Sequence, residues 1–132
     1  DREIEKKFSG SDWAGRGYSV DPNNIGNQRK ESYWDACAQV YRELYEVLAP
    51  GSVACLILKD FVKGGKRIPL CDMTLDLLVS LGYIPLERTI AMLWDIKPDG
   101  TRVEHKSFFR RNAEKKGSPP IDYEVVLWVG RL

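Results

Sequence analysis

At 132 residues the chain fits one domain and is long enough to bury a hydrophobic core, so it needs no metal ion or disulfide to hold it together. Its 43% hydrophobic and 30% charged residues are typical of an ordinary soluble globular protein, with no apolar run or N-terminal signal for a membrane or secretory route. The formal net charge of +1 does not indicate a nucleic-acid-binding protein, so such evidence has to come from local clusters.

The N-terminal segment, residues 1–31, is predicted to be rich in loops. Residues 1–8 are charged and can form a short helix, and glycine and asparagine then crowd together from Ser9 to Arg29. Long loops in compact domains are usually functional or disordered, and the large apolar side chains in this one favour order. Because the sequence begins with aspartate rather than methionine, we expect a piece of a longer polypeptide.

The middle of the chain alternates between helical and strand patterns. Apolar residues recur at helical spacing from Tyr33 to Leu48, between a capping-box pattern that starts at Ser32 and a Pro50-Gly51 stop. The uncharged run at 52–58 is typical of a strand buried on both faces. The predicted elements are a helix at 32–48, a strand at 52–58, a basic glycine-containing loop at 61–69, a helix at 71–81 with Met73, Leu77, Leu78 and Leu81 on one side, and a strand at 84–94.

The C-terminal part of the chain has a different pattern. Pro98-Asp99-Gly100 predicts a turn, residues 105–117 are basic, and the β-branched and aromatic residues of 121–129 predict a strong final strand. No helix long enough for a crossover separates this strand from the one at 84–94. We therefore expect the two to pair antiparallel, as a long-looped hairpin at the edge of an α/β sheet.

The three cysteines, Cys37, Cys55 and Cys71, are odd in number, widely spaced and set within apolar or helical patterns. They are predicted to be buried free thiols of a protein in the reducing cytoplasm. A zinc site needs paired ligands at short spacing, which these thiols and the lone His105 do not supply, so no metal site is predicted. Trp94 and Trp128 lie on predicted strands and are expected to pack in the core.

An ordered series of short motifs resembles the C-terminal half of the DNA amino-methyltransferases, the enzymes that modify N4 of cytosine or N6 of adenine. The resemblance covers residues 17–132, and the order of the motifs carries it. The motifs are Tyr33-Trp34 near a helix start, Leu48-Ala49-Pro50-Gly51 at its end, Lys59-Asp60 after a strand, Gly64-Gly65-Lys66-Arg67 in a basic loop, Leu81-Gly82-Tyr83 after a helix, and the tail from Ser107 to Trp128.

This resemblance implies a fold and an activity. The fold would be part of a class I methyltransferase (Rossmann-like) sheet, an α/β three-layer domain with an antiparallel C-terminal hairpin, in which residues 1–31 and 32–132 belong to a single domain. The activity would be methyl transfer from S-adenosylmethionine to an amino nitrogen of DNA by direct displacement, which needs proximity and alignment more than acid–base chemistry.

The chain departs from the family where the family does its chemistry. It lacks a glycine-rich cofactor loop after a strand, and it lacks the tetrapeptide of a polar residue, two prolines and an aromatic residue that grips the flipped base. The segments that come nearest are Gly15-Arg16-Gly17, Asp21-Pro22-Asn23-Asn24 and Ser118-Pro119-Pro120. We therefore predict no catalytic residue in this chain. A non-catalytic half-domain is the alternative, which binds nucleic acid or a partner and can dimerise to cover an exposed sheet edge.

The candidate binding residues follow the predicted elements. Lys59 and Asp60 come directly after a strand, where α/β sheets bind ligands, and are predicted cofactor contacts, the alternative being a solvated charged pair. Lys63, Lys66 and Arg67 form a basic loop near the same edge and are predicted to hold DNA phosphates, the alternative being a solvated loop.

Two further groups are candidates for contacts with DNA. The densest basic cluster interleaves with Phe108 and Phe109, an arrangement suited to phosphate contacts beside base stacking, although such phenylalanines are more often core anchors. Its cations are Arg102, Lys106, Arg110, Arg111, Lys115 and Lys116. The polar residues of the N-terminal loop can contact a base, although they are also the commonest turn formers. They are Asp21, Asn23, Asn24 and Asn27.

Overall fold

The computed structural model describes Asn23, Ile25, residues 31–105 and residues 108–132. For Phe108 and Phe109 it describes the backbone alone. The predicted helix at 1–8, most of the N-terminal loop and the candidate contacts Asp21, Asn24, Asn27 and Lys106 lie outside these residues. None of the helices in the described part is long and apolar enough to span a membrane.

The described chain is a mixed α/β structure. Its elements are α1 (Glu31–Val47), β1 (Val53–Leu58), β2 (Phe61–Lys63), β3 (Lys66–Ile68), α2 (Leu70–Ser80), β4 (Ile84–Met92), β5 (Trp94–Ile96), β6 (Arg102–Glu104), α3 (Phe108–Lys115) and β7 (Tyr123–Gly130). The two predicted helices and three predicted strands are confirmed. The predicted loop at 61–69 is instead a β2–β3 hairpin, a β5–β6 hairpin surrounds the predicted turn at 98–100, and the basic segment contains α3.

The main sheet has the strand order β1-β7-β4, and β7 runs antiparallel to both neighbours. The predicted antiparallel pairing of β4 with β7, as a long-looped hairpin at the edge of the sheet, is confirmed, and β4 is its outer strand. Because β7 also pairs with β1 over six residue pairs, it lies between the other two strands. The edge strand β4 contains Pro85, which a strand tolerates best at a sheet edge, and it has a bulge between Pro85 and Glu87.

One face of this sheet carries the core. Val125 and Leu127 of β7 pack with Cys71 of α2, and all three are buried to 1% exposure or less. Around them pack half-buried residues of β1, α2 and β7, which are Leu56, Leu58, Leu75 and Tyr123. The predicted apolar side of α2 is wrong at one position: its buried residues are Cys71, Thr74 and Leu78, and Met73 is exposed.

The opposite face of the sheet is open in the described structure. Side chains of β1 alternate between half-buried and exposed, with Val53 51% and Ile57 66% exposed. The prediction that this strand is buried on both faces is therefore wrong, because every second side chain of the strand is exposed. Trp94 and Trp128 were also expected to be core residues, and both are partly exposed. The three-layer arrangement stays a prediction.

The chain divides into two compact units, residues 1–42 and 43–132, and the boundary falls within α1. The first unit contains an edge-to-face contact between Tyr33 and Trp34, with ring centroids 5.1 Å apart. The second contains the sheet, both hairpins, α2 and α3. The predicted single domain over 1–132 stays a prediction.

The end of α1 is fastened by Arg131. The last carbonyl groups of a helix have no partner within it, and here the Arg131 guanidinium donates to the carbonyls of Tyr45 at 2.6 Å, Glu46 at 3.2 Å and Leu48 at 2.5 Å. The same guanidinium lies 4.8 Å from the centre of the Tyr45 ring, and the Tyr45 ring packs edge-on against buried Tyr83. One side chain therefore connects the helix end to the last residues of the sheet.

Replacing Arg131 with alanine is expected to lower the free energy of unfolding by about 1–2 kcal/mol, because hydrogen bonds from a charged donor and a ring contact are lost together. Arg131→Lys keeps the charge but not the forked donor and should recover only part of the loss. Urea unfolding followed by circular dichroism measures both. Equal stability of all three proteins would contradict this role for Arg131.

Candidate nucleic-acid interface

The loop that follows β1 is fixed by a buried carboxylate. Asp60 is 8% exposed, and its Oδ1 accepts a hydrogen bond of 2.9 Å from the backbone N–H of Cys71, in the first turn of α2. Its Oδ2 accepts a hydrogen bond of 3.0 Å from Nε of Arg67, on β3. A carboxylate at the N-terminus of a helix interacts favourably with the helix dipole, so Asp60 acts as a cap supplied from outside the helix.

Arg67 extends this network to the central strand. Its Nη2 donates to the hydroxyl of Tyr123 at 2.5 Å, and its guanidinium lies 5.2 Å from the centre of the Tyr123 ring. Burial raises the pKa of Asp60, but hydrogen bonds from Cys71 and Arg67 outweigh it and hold the pKa below its ordinary value. The β2–β3 hairpin is thereby tied to both α2 and β7.

The predicted cofactor contacts lie beside this network. Both carboxylate oxygens of Asp60 are engaged within the protein, and Lys59 is half-buried. These two residues therefore do not by themselves form a site that fits S-adenosylmethionine. The assignment of Lys59 and Asp60 as cofactor contacts stays a prediction.

The cysteines differ in their surroundings. Cys37 and Cys71 are buried free thiols, as expected, whereas Cys55 is exposed on the open face of β1. Burial, together with the hydrogen bond to Asp60, raises the pKa of Cys71 to about 12, so this thiol stays uncharged at neutral pH. No group of three metal-binding side chains comes together among the residues that the structure describes.

The structure brings two of the predicted basic groups together around a pocket. The turn of the β2–β3 hairpin, at Gly64-Gly65, lies across from the C-terminal end of α3, and a pocket of about 120 Å³ separates them. It is lined by Val62, Gly64, Gly65, Asn112, Ala113, Lys116 and Ile121. The lining contains one cation and no carboxylate. We call it the turn–helix pocket.

The end of α3 at this pocket is capped by its own backbone. Gly117 has a φ of 62° and its N–H donates to the carbonyl of Glu114, and the N–H of Ser118 donates to the carbonyl of Ala113. These two bonds form a Schellman motif, which requires the left-handed conformation that glycine adopts readily. The carbonyls of Ala113 and Glu114 thus have partners, which reduces the negative potential at the helix end.

A buried hydroxyl lies behind the turn. Ser118 is 7% exposed, and its Oγ has no hydrogen-bond partner within the described structure. This oxygen is 3.9 Å from the position that a β-carbon on Gly65 would occupy. An unpaired buried hydroxyl costs about 1–3 kcal/mol, so a site next to it favours a ligand or water that can supply a partner.

The other predicted DNA contacts have separate positions. Lys63 and Lys66 are exposed and flank the Gly64-Gly65 turn as a directly opposed pair. Arg111 and Lys115 are exposed on α3, and Arg102 is exposed on β6.

Two of the predicted basic contacts, Arg110 and Arg67, are engaged by carboxylates within the protein. Arg110 is enclosed by carboxylates of Glu104 at 2.8 Å, Glu114 at 3.3 Å and Asp122 at 3.9 Å. These three carboxylates outnumber its single charge, and the charge of Arg67 is paired with Asp60. Asn23 is exposed, and the structure does not describe the other polar residues of its loop. DNA contacts by these residues stay predictions.

Sequence reasoning did not identify Asn112, Ser118 or Ile121 as parts of a site. Nothing in their local patterns marks them, because the pocket forms only when the hairpin folds against α3. The available signal was the Lys-Gly-Gly-Lys sequence at 63–66, since paired glycines between short apolar runs predict a tight hairpin turn.

Comparison with known proteins identifies the fold. No protein-family model matches the sequence, and no curated protein matches it. A solved structure does: a protein from Thermus thermophilus, provisionally described as a DNA modification methylase, is similar with a TM-score of 0.52 and 18% sequence identity. The similarity covers 76% of this chain and 37% of that one, so the chain spans well under half of that protein's length. This likeness shows a methyltransferase-like fold.

Proposed function

We propose that the chain is one part of a DNA methyltransferase of the amino type, in which it contributes sheet strands and a surface that holds DNA. One observation carries the proposal: its fold matches 37% of a protein described as a DNA modification methylase. The ordered motifs from Tyr33 to Trp128 support the finer assignment, with S-adenosylmethionine as methyl donor and N4 of cytosine or N6 of adenine as acceptor.

The open side of the sheet supports a role as one part of a larger assembly. Among the residues that the structure describes, β1 pairs with β7 and with no second strand, and all six of its residues are uncharged. Exposed edges are usually protected by charges or proline, so an uncharged one favours pairing with another strand. The exposed side chains of Val53, Cys55 and Ile57 extend this apolar surface onto the open face.

The steps of methyl transfer are shared between this chain and further polypeptide. S-adenosylmethionine supplies the methyl group when bound, and the residues that grip it and the base come from further polypeptide, in the same chain or another. This chain positions DNA, because its exposed lysines on the β2–β3 turn and on α3 can contact phosphates without reading sequence. Positioning is a large part of catalysis where a reaction needs alignment rather than acid–base groups.

The test is transfer of a labelled methyl group from S-adenosylmethionine to duplex DNA. The chain alone is expected to bind DNA but to transfer no label, whereas the complete product of its gene, with any partner that co-purifies, should transfer label to cytosine N4 or adenine N6. Nucleoside analysis of the digested DNA identifies the acceptor. Absence of transfer by the complete product at millimolar cofactor would overturn the proposal.

The non-catalytic alternative rests on the same uncharged edge of β1. Two copies related by a twofold axis can pair their β1 strands antiparallel, which would extend the sheet across both. Light scattering measures the mass of the chain in solution. A dimer, together with DNA binding and no transfer by the complete product, would favour this alternative.

A further inference from the structure

We infer that the turn–helix pocket binds a phosphodiester group of the DNA backbone. The inference rests on the proposed function, since it names how this chain would hold the DNA. It assigns a direct role to Lys116, Asn112 and the Gly64-Gly65 backbone, and an accessory role to the two lysines that flank the turn.

The charge of the pocket selects an anion. Lys116 is exposed and lines it, and among the described residues no ion pair engages its ammonium group. The carboxylates of Glu114 and Asp122 are not part of the lining, and both pair with Arg110, which they share with Glu104. An anion entering the pocket therefore meets one cation and no carboxylate in the lining.

The turn gives a ligand close access to the backbone. Gly64 and Gly65 both have positive φ, at 58° and 75°, and a β-carbon on Gly64 would have no neighbour within 4 Å. A turn without side chains lets an oxygen atom approach main-chain N–H groups, as glycine-rich phosphate-binding loops do. Lys63 and Lys66 border this turn, and their alternation with Val62 along the strands directs them to the other face of the hairpin.

The α3 side of the pocket adds polar groups. Asn112 and Lys116 are four residues apart and line the same side, where an amide and an ammonium group can both donate to one oxyanion. The buried Ser118 hydroxyl behind Gly65 has no partner in the described structure. This hydroxyl is therefore a donor without an acceptor directly next to the turn.

The volume of the pocket and the residues that line it fit a backbone phosphate better than a base. At about 120 Å³ it has room for several water molecules, and its lining offers no exposed aromatic ring for stacking. Lys63 and Lys66 flank the turn and add positive charge beside the pocket, which favours DNA without contacting the bound phosphate. The phosphate contact in the pocket would fix the position of the DNA and would not depend on its sequence.

The test measures the affinity of a short fluorescein-labelled duplex by anisotropy at several salt concentrations. Lys116→Gln is expected to weaken binding about fivefold and to reduce the slope of log K against log salt by about one, as for loss of one phosphate contact. K63Q/K66Q should weaken binding and reduce the slope further. Lys97→Gln, on the β5–β6 turn, changes the charge equally and should bind like the original protein.

A second measurement follows the backbone directly. Titration of the 15N-labelled chain with sodium phosphate, at constant ionic strength set with sodium chloride, should shift the amide resonances of Gly64 and Gly65, and K116Q should abolish the shift. The inference is overturned if K116Q binds DNA like K97Q, or if phosphate leaves these two amides unchanged.

The two failures can be told apart. The proposed function fails if the complete gene product transfers no methyl group, whatever the pocket binds. The pocket inference fails if DNA affinity and salt slope are insensitive to Lys116, even where methyl transfer is intact. Thermal melting of each variant shows whether it is folded.

Discussion

Replacement of Leu127 with alanine is expected to lower the free energy of unfolding by about 2–5 kcal/mol, the usual cost of removing a buried leucine side chain. Leu127 is 1% exposed at the centre of β7, where it packs with Cys71 and Val125. The truncation leaves a cavity that the paired strands on both sides cannot close. Urea denaturation at constant protein concentration measures the change through the midpoint of unfolding.

The matched control lies on the other face of the same sheet. Ile57 of β1 pairs with Val126 and is 66% exposed, so Ile57→Ala should cost less than about 1 kcal/mol. A loss at Ile57 as large as that at Leu127 would show that the open face is covered in solution. Protein concentration separates the causes, because a cover provided by a second copy makes stability depend on concentration.

Replacement of Asp60 with alanine is expected to lower the free energy of unfolding by about 2–4 kcal/mol. The change removes the cap on the Cys71 N–H and leaves Arg67 without its carboxylate. Arg67 is 32% exposed, so water replaces part of what it loses, which holds the cost below that of a fully buried pair. Asp60→Asn keeps an acceptor for the Cys71 N–H and should show a smaller loss.

The effect of Asp60 should depend on pH. Its pKa in the folded protein lies below the ordinary value of 3.8, because the hydrogen bonds outweigh burial. A lowered pKa means that the stabilisation is fully present above the ordinary pKa and is lost as pH falls through the folded value. The difference in stability between the original protein and D60A should therefore be constant near neutral pH and shrink below 3.8.

The control for Asp60 is Asp72, an exposed aspartate in the first turn of α2. Asp72 pairs with Arg88 at the surface, where both side chains are more than a third exposed. Exposed ion pairs contribute little, so Asp72→Ala should cost less than about 1 kcal/mol. If D60A and D72A lowered stability equally, the buried network would have no special role in fastening the hairpin.

The longer elements could be predicted because their patterns are local. The helical spacing from Tyr33 to Leu48 and the β-branched run in 121–129 place α1 and β7 within a few residues of where they lie. The short hairpins at 61–68 and 94–104 and the eight-residue α3 were missed. Elements this short have too few residues for a periodic pattern, and they form because neighbouring parts of the fold supply partners.

The candidate site also has a part that the sequence predicts and a part that it does not. The lysines at 63, 66, 115 and 116 were identified from the sequence because clustered charge is visible there. The sequence could not show that Arg67 and Arg110 are engaged by carboxylates, since Asp60 and Glu104 reach them only through tertiary contacts. A lysine or arginine looks the same in the sequence whether it is exposed or paired with a carboxylate. Only the residues that surround it in the folded protein distinguish the two cases.

The sequence by itself determined which of the longer stretches become helices and strands, that a turn lies at 98–100, and that this chain lacks the motifs by which DNA amino-methyltransferases bind cofactor and base. These properties depend on residues close together along the chain. Tertiary structure alone decided that β7 lies between β1 and β4, that Val53 and Ile57 are exposed, and that the Gly64-Gly65 turn meets Asn112 and Lys116. The physical reason is that burial, ion pairing and pocket formation depend on which distant residues become neighbours, and a local pattern carries no information about that choice.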